Sequence, residues 1–402
     1  MVGMNNLGSW LHKIFPLNKK PHKMDRAILS AENNLIIRTF VQDQIEKPDM
    51  FNSTISENDE MYLFALQHFN GNRDRAYVEL LTTGKQGMDV IRQIIHWNFK
   101  GFDNVSAFLD FASGYGRFTR FLIQELPAKY VWICDIYEDA VKFQQEQFGV
   151  HGIVSVPDPE DFTVNKKYDC IFVASLFSHL PENFFIGWLK RLYELLTPEG
   201  LLIFSVHDVA VLPPYLEMEE KGILFIRESE SRSLNKNDYG TTYVTESFVG
   251  NIIESITGEP CYFRKKRGLW WFQDLYIIPK NPYKDFGNLD LSQGPSGYVD
   301  SCVLTDSNEI RFDGWAADVG KDTFIKDIQI IIDGDVVHRC LPSHDRPDIA
   351  EAFQDDKGLK SGFSCNIPRN IVRPSDIVIV KVINSRNIEH IVRIGTLESI
   401  LD

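Results

Sequence analysis

Two acidic residues and a pair of glycines stand at positions suited to hold a nucleoside. A short apolar run that contains Asp110 leads directly into Ala112-Ser-Gly-Tyr-Gly116. Gly114 and Gly116 permit a positive φ angle and let a ligand approach the backbone closely. The next apolar run ends at Asp135, whose carboxylate can accept hydrogen bonds from both hydroxyls of a ribose. The pattern indicates a nucleoside site, with an ordinary tight turn and a helix-capping Asp as the alternatives.

Two histidines are candidates for a general base. His179 lies in Ser-His-Leu-Pro and His207 in Ser-Val-His-Asp, each just after an apolar run. Imidazole titrates near neutrality, and an oxygen or nitrogen acceptor that carries a proton at pH 7 needs a base within hydrogen-bond reach. Both histidines are therefore candidate catalytic residues, and the alternative for each is a structural role near a strand end.

The elements that must position these residues alternate between strand and helix. Short apolar strands are predicted at 107–111, 130–135, 152–156, 168–175 and 201–206, with helices at 117–126, 138–148 and 181–196 between them. Alternation of this kind predicts βαβ units around a parallel sheet that is covered on both faces. A helix at 247–256, capped by Thr245, and two strands near 261–267 and 271–278 complete the predicted sheet, whereas 209–244 is predicted to be irregular.

The remaining segments predict three further parts. Residues 1–100 show helical periodicity and are interpreted as an N-terminal cap before a 101–280 α/β domain. Residues 281–297 lose all periodicity and carry turn formers, so they are interpreted as a linker. From 298 to 402 short strands recur, with Asp333-Gly334 as a two-residue hairpin turn, and they predict a separate all-β sandwich.

The successive motifs resemble those of class I S-adenosylmethionine-dependent methyltransferases. The resemblance rests on 110–116, Asp135, YDCIFVASLFSHLP at 168–181, LTPEGLLIF at 196–204 and QDLYI at 273–277. It implies a Rossmann-like seven-stranded sheet whose last strand runs antiparallel beside the fifth. The sequence departs from the family at Ala112, where the first loop residue is normally glycine.

The resemblance implies S-adenosylmethionine as the cofactor and assigns residues to its parts. Asp110 would orient the loop and the cofactor's ammonium, and Asp135, with Ile136 beside it, would hold the ribose. Asp158 is placed to meet the adenine. The remaining implied cofactor residues line the methionine part and the sulfonium: Tyr77, Gly84, Ala112, Gly114, Gly116, Ala174, Ser175 and Leu176.

Several other functions are disfavoured. A dinucleotide dehydrogenase normally has G-x-G-x-x-G, and Thr119 stands where its third glycine would be. The formal charge of −14 disfavours nucleic acid, and the Asn/Asp-Pro-Pro-Tyr run of amino-methylating nucleic-acid enzymes is missing after the fourth strand. No cluster has the spacing of a magnesium site, so no metal is expected.

Composition and termini suggest where the protein works. No apolar run is long enough to span a bilayer, no secretory signal is evident, and the six Cys never occur as C-x-x-C, so a cytoplasmic protein is expected. Residues 7–23 combine an amphipathic pattern with lysines, which permits weak contact with a membrane surface or simple packing on the protein.

The sequence therefore predicts a bacterial methyltransferase with a small-molecule or glycan acceptor, methylated at oxygen. The C-terminal part, through 310–318, 346–350 and 361–363, is similar to modules beside bacterial glycosyltransferases and methyltransferases. The alternative is a non-catalytic glycan-binding or scaffold protein with a degenerate methyltransferase domain. Trp315 is either a core residue or a platform for a sugar ring.

Overall fold

The computed structural model describes residues 34–229, 231, 233–319 and 323–401. The chain forms two compact units, one of 45–291 and one that joins 34–44 to the segment from Ser292 onward. The helices, numbered along the described chain, are α1 Leu35–Gln44, α2 Glu60–His68, α3 Arg73–Phe99, α4 Thr119–Glu125, α5 Glu138–Phe148, α6 Glu182–Glu194, α7 Glu246–Thr257, α8 Pro347–Phe353 and α9 Leu397–Ile400.

The first unit contains one mixed sheet. Its strands are β1 Phe108–Phe111, β2 Val131–Asp135, β3 His151–Val154, β4 Tyr168–Val173, β5 Leu196–Asp208, β6 Ile223–Ile226, β7 Thr241–Val244, β8 Phe263–Leu269 and β9 Gln273–Pro279. Strands β3-β2-β1-β4-β5 are parallel neighbours in that order. β9 pairs antiparallel with β5, and β8 pairs with β9. The predicted Rossmann-like sheet is therefore confirmed, including its antiparallel last strand.

Burial explains why these segments form strands and helices. β1 is buried along its whole length, as expected for a parallel strand covered on both faces. α6 buries the face that carries Phe185, Trp188 and Leu192. α7 begins after Thr245, whose hydroxyl accepts a hydrogen bond from the Phe248 N–H at 3.2 Å, as predicted.

The prediction that 209–244 is irregular was wrong in part. β6 and β7 form an antiparallel hairpin, and β7 continues the sheet beyond the carboxyl end of β5 through a pairing of His207 with Tyr243. Thr242 fixes the hairpin to the loop after β4, because its N–H donates to the Ser178 carbonyl at 2.7 Å. The hairpin therefore lies beside the carboxyl end of β5 and the loop after β4.

The second unit is a β-sandwich, as predicted. Its strands are β10 Ser296–Leu304, β11 Glu309–Ala317, β12 Ile325–Ile332, β13 Asp335–Cys340, β14 Gly362–Pro368, β15 Ile377–Asn384 and β16 Glu389–Thr396. One sheet has the order β10-β11-β14 and the other β13-β12-β15-β16. Asp333 and Gly334 have φ angles of 48° and 95° and form the predicted hairpin turn. Trp315 is buried edge-on to Phe353, which favours the core interpretation over a sugar platform.

The segment assigned from sequence to an N-terminal cap divides between the two units. α1 belongs to the sandwich unit, where Asp43 Oδ1 forms an ion pair of 2.7 Å with Nζ of the buried Lys381. α2 and α3 belong to the sheet unit. The expected linker is divided too, since Phe286 stacks on Trp97 of the sheet unit and β10 starts at Ser296. An amphipathic pattern shows that a helix has a buried face but does not show which unit covers it.

No helix within the described residues is long and apolar enough to cross a membrane. The 7–23 segment, for which weak membrane contact is an expectation, lies outside the described residues.

Candidate active site

The loop after β1 has the backbone of a ligand cradle. Ala112, Gly114 and Gly116 all have positive φ angles, of 58°, 54° and 78°. A Cβ on Gly116 would lie 2.4 Å from the Phe148 ring, so only glycine fits there. A Cβ on Gly114 would meet no atom within 4 Å, so the space beside this residue is open. The loop can therefore receive a ligand next to Gly114 while Gly116 fixes its packing on α5.

The conformation of Ala112 explains why glycine is usual at this position and gives a testable prediction. A left-handed φ costs an L-residue roughly 1–2 kcal/mol, partly offset because glycine loses more entropy on folding. We expect Ala112→Gly to raise the free energy of unfolding by about 0.5–1 kcal/mol in urea titrations. Ala174→Gly, at a residue with an ordinary φ, is the matched control and should lower it. Destabilisation by both variants would contradict the account.

Asp135 is held rigidly at the end of β2. Its Oδ2 accepts the Gly114 N–H at 2.7 Å and its Oδ1 accepts the Tyr137 N–H at 2.9 Å. The residue is buried, and burial raises the pKa of its carboxyl while these N–H groups lower it. Each oxygen keeps acceptor capacity for a hydroxyl, so the carboxylate fits a ribose diol. Ile136, next along the chain, is exposed at the same edge.

Asp110 lies under the loop rather than in the open. Its Oδ2 accepts a hydrogen bond of 2.7 Å from the Thr119 hydroxyl, which ties the end of β1 to the start of α4. Thr119 is the residue that occupies the third-glycine position of a dinucleotide motif, and this contact gives its side chain a structural role. Burial raises the pKa of Asp110 to about 7, and the charge of Asp135 adds to that rise.

Tyr77 and Gly84 both lie on α3 and have packing contacts of their own. The Tyr77 hydroxyl donates to the Ser53 carbonyl, and burial raises its pKa to about 12. A Cβ on Gly84 would lie 2.2 Å from the Arg117 carbonyl, so glycine lets α3 approach the start of α4. Their expected contact with the methionine carboxylate stays a prediction.

The residues after β3 and β4 reach the same edge of the sheet. Asp158 is exposed, and its Oδ1 accepts the Glu160 N–H at 2.9 Å. Ala174 and Leu176 are half-buried on either side of Ser175, which has a φ of 63°. A non-glycine residue in this conformation is uncommon, and such residues concentrate at functional sites.

A polar network behind Ser175 was missed by the sequence analysis. The Ser175 N–H donates to the Ser205 hydroxyl at 2.9 Å, and Ser205 donates to Gln273 Oε1 at 2.6 Å. The Gln273 amide nitrogen donates to the Ser175 hydroxyl at 2.9 Å and lies 3.4 Å from His207 Nε2. Gln273 is the first residue of β9, whose pairing beside β5 is not visible in local sequence patterns.

The two histidines have different environments. His179 Nδ1 lies 2.7 Å from the Gly240 carbonyl, so this nitrogen carries the proton and Nε2 is the acceptor nitrogen. Its ring stacks on Tyr239, with centroids 4.5 Å apart. His207 is buried, and burial together with the charge of His179 lowers its pKa to about 3. The geometry therefore favours His179 over His207 as a base at neutral pH.

The insertion between β5 and β7 also reaches the edge of the sheet at which Asp135 lies. The Tyr137 hydroxyl is 3.0 Å from the Ser231 hydroxyl and 2.6 Å from that of Ser233. Glu60, at the start of α2, accepts from the same hydroxyl at 3.4 Å. Among the described residues, no group of three or more His, Cys, Asp and Glu is placed to hold a metal ion.

Comparison with known proteins finds a similarity to methyltransferases. Residues 109–202 match the family model described as a methyltransferase domain. The alpha N-terminal protein methyltransferase 1 of Dictyostelium discoideum is 44% identical over 43 residues, which make up 11% of this chain and 16% of the relative. The chain thus spans about a sixth of the length of this curated relative.

Two solved structures are also similar. An S-adenosylmethionine-dependent methyltransferase from Clostridium acetobutylicum is 14% identical with a TM-score of 0.37, over 55% of this chain and 99% of that one. A 1,6-didemethyltoxoflavin-N1-methyltransferase from Burkholderia thailandensis is 14% identical with a TM-score of 0.35, over 65% of this chain and all (100%) of that one. Residues 109–202 include the loop at 112–116 and Asp135, so this part of the chain is similar to a methyltransferase domain, and the strand order of its sheet is Rossmann-like.

Proposed function

We propose that the protein transfers a methyl group from S-adenosylmethionine to an oxygen of a small molecule or glycan. The observation that carries the proposal is the rigid Asp135 carboxylate beside the open cradle at Gly114. The carboxylate suits a ribose diol, and the cradle admits the adjoining thioether part of the cofactor. The residues present therefore fit S-adenosylmethionine.

The chain's own residues perform positioning and proton transfer. When bound, the cofactor supplies a methyl group on a sulfonium, which is an excellent leaving group. Positioning of the two reactants then contributes most of the rate enhancement, worth up to about 7–11 kcal/mol for ideal alignment. His179 takes the proton of an acceptor hydroxyl at Nε2, which is the acceptor nitrogen of the tautomer that the Gly240 carbonyl holds.

Titration of S-adenosylhomocysteine into the full chain by calorimetry tests cofactor binding. Transfer of a labelled methyl group from S-adenosylmethionine to hydroxyl-bearing small molecules and glycans tests the acceptor. Binding and transfer are expected, whereas binding of glycan without any transfer would support the alternative of a glycan-binding protein with a degenerate domain. The match to the Dictyostelium relative covers only 43 residues and so transfers no acceptor to this chain.

Cofactor affinity is expected to rise with pH. Because burial raises the pKa of Asp110 to about 7, its carboxyl is mainly protonated at pH 6 and ionised at pH 8 before the cofactor binds. A neighbouring ammonium favours the ionised form, so binding of S-adenosylhomocysteine should tighten by about tenfold from pH 6 to pH 8. Calorimetry at both values measures the change. Asp110→Asn should flatten the dependence, and an equal affinity at both values in the wild type would contradict the prediction.

A further inference from the structure

A segment before α2 is joined to the glycine loop through Arg120 and carries a buried carboxylate. We call this segment, residues 48–59, the strap. Arg120 contacts it, because Arg120 Nη1 donates to the Thr54 carbonyl at 2.9 Å. The same guanidinium donates through Nε to the Gly116 carbonyl at 3.0 Å. One buried arginine thus joins the strap to the last residue of the cradle. Asp59, at the end of the strap, is 3% exposed.

The two oxygens of Asp59 have different surroundings. Oδ1 caps α2 by accepting the Met61 and Tyr62 N–H groups at 2.9 and 3.3 Å. Oδ2 is buried and has no hydrogen-bond partner among the described residues. A buried polar atom without a partner is costly, by about 1–3 kcal/mol and more when charged. The charges that act on Asp59 are those of Arg117 and Arg120, and Asp59 in turn acts on Asp135 in the nucleoside site.

Arg117 is the complementary feature. It follows Gly116 directly, and its guanidinium stacks on the Trp270 ring at 4.3 Å. Trp270 is itself fixed, since its indole N–H donates to the Thr83 carbonyl at 2.8 Å. Within the described part of the chain, no carboxylate oxygen lies at ion-pair distance from Arg117, although Asp59 is near enough to influence it. The loop therefore has a carboxylate and a guanidinium beside it that do not neutralise each other directly.

We propose that Asp59 and Arg117 together hold the amino-acid end of the cofactor, an assignment that rests on the proposed function. Asp59 Oδ2 accepts from the ammonium, whose charge also acts on Asp110, and the Arg117 guanidinium donates to the carboxylate. A zwitterion satisfies both charges at once, which neither a neutral nor a singly charged group does. The assignment moves this subsite from Tyr77 and Gly84, which have packing contacts, to the strap and the start of α4.

Two probes separate the amino-acid end from the nucleoside. S-adenosylhomocysteine carries the zwitterion, whereas 5′-methylthioadenosine has the same nucleoside and thioether without it. We expect Asp59→Asn and Arg117→Gln each to weaken S-adenosylhomocysteine at least tenfold in calorimetry and to change 5′-methylthioadenosine by less than twofold. Asparagine keeps the cap on α2, because its side-chain oxygen accepts the same N–H groups. Asp59→Ser, which also caps, is a second variant should the first be unstable.

Asp49→Asn is the matched control, since Asp49 is an exposed acid in the same strap. It should leave the affinity for both probes unchanged. Equal weakening of both probes by Asp59→Asn would overturn the assignment and indicate a structural role, as would unchanged binding of S-adenosylhomocysteine. If the wild type binds neither probe, the proposed function fails and the assignment with it. If the wild type binds both probes, the proposed function stands, and the variants test only the roles of Asp59 and Arg117.

Discussion

Asp135→Ala is expected to lower the affinity for S-adenosylhomocysteine by at least about 100-fold. The carboxylate offers an acceptor to each ribose hydroxyl, and hydrogen bonds to a charged group contribute about 1.5–3 kcal/mol apiece. The substitution also removes the acceptors of the Gly114 and Tyr137 N–H groups, so the cradle loses its link to β2. Both effects act in the same direction. Calorimetry on the full chain measures the loss directly.

A matched control distinguishes this result from general damage to the fold. Glu138 is an exposed acid at the start of α5, three residues further along the chain, and Glu138→Ala should bind within a few-fold of the wild type. Urea unfolding of Asp135→Ala shows whether the sheet is intact. An Asp135→Ala protein that is folded and binds within threefold of the wild type would refute the ribose assignment.

The position of the loop after β1 beside Asp135 could be predicted from sequence because its signals are local. The strand that contains Asp110, the loop at 112–116 and the strand that ends at Asp135 lie in one continuous stretch. Parallel neighbours bring their carboxyl ends to one edge, so the position of each strand end is enough to assemble this half of the site. Asp135 and Gly114 do meet there, at 2.7 Å.

The other half of the site depends on contacts between distant segments. Gln273 reaches Ser175 and His207 only because β9 is inserted beside β5. The hairpin of β6 and β7 was missed because its two short strands are separated by a long polar segment and pair only with each other and with the end of β5. Asp59 lies in the part of the chain that shows helical periodicity, which gives no sign that its carboxylate is buried; that burial depends on tertiary packing.

The ranking of the two histidines as candidate general bases also depends on tertiary structure. From sequence, His179 and His207 are both candidate bases beside strand ends, and His207 is preferred. Both are buried, and the structure separates them through the Gly240 carbonyl beside His179 and through the lowered pKa of His207. Neither property follows from the residues next to them in the chain. The separation makes a prediction that can be tested on the reaction itself.

His179→Gln is expected to reduce the rate of methyl transfer by about 10²–10⁴-fold with the acceptor found in the labelled-methyl screen. The reason is the loss of the acceptor nitrogen that the Gly240 carbonyl orients. His207→Gln should reduce the rate by less than about tenfold, since a histidine whose pKa is lowered to about 3 is a weak base. Measurement of kcat for both variants and the wild type gives the ratio. Affinity for S-adenosylhomocysteine should be unchanged in His179→Gln, which separates catalysis from cofactor binding.

The pH profile supplies a second criterion that a merely structural role would not satisfy. If His179 is the base, any increase of the wild-type kcat with pH should disappear in His179→Gln while surviving in His207→Gln. A pKa of about 3 keeps His207 neutral over the whole range, so its removal has no ionisation to take away. A profile that loses its ionisation only in His207→Gln would reverse the assignment. Retention of the full rate in both variants would mean that neither imidazole takes the proton. The acceptor atom would then reach the site already ionised, or would carry no proton that must be removed.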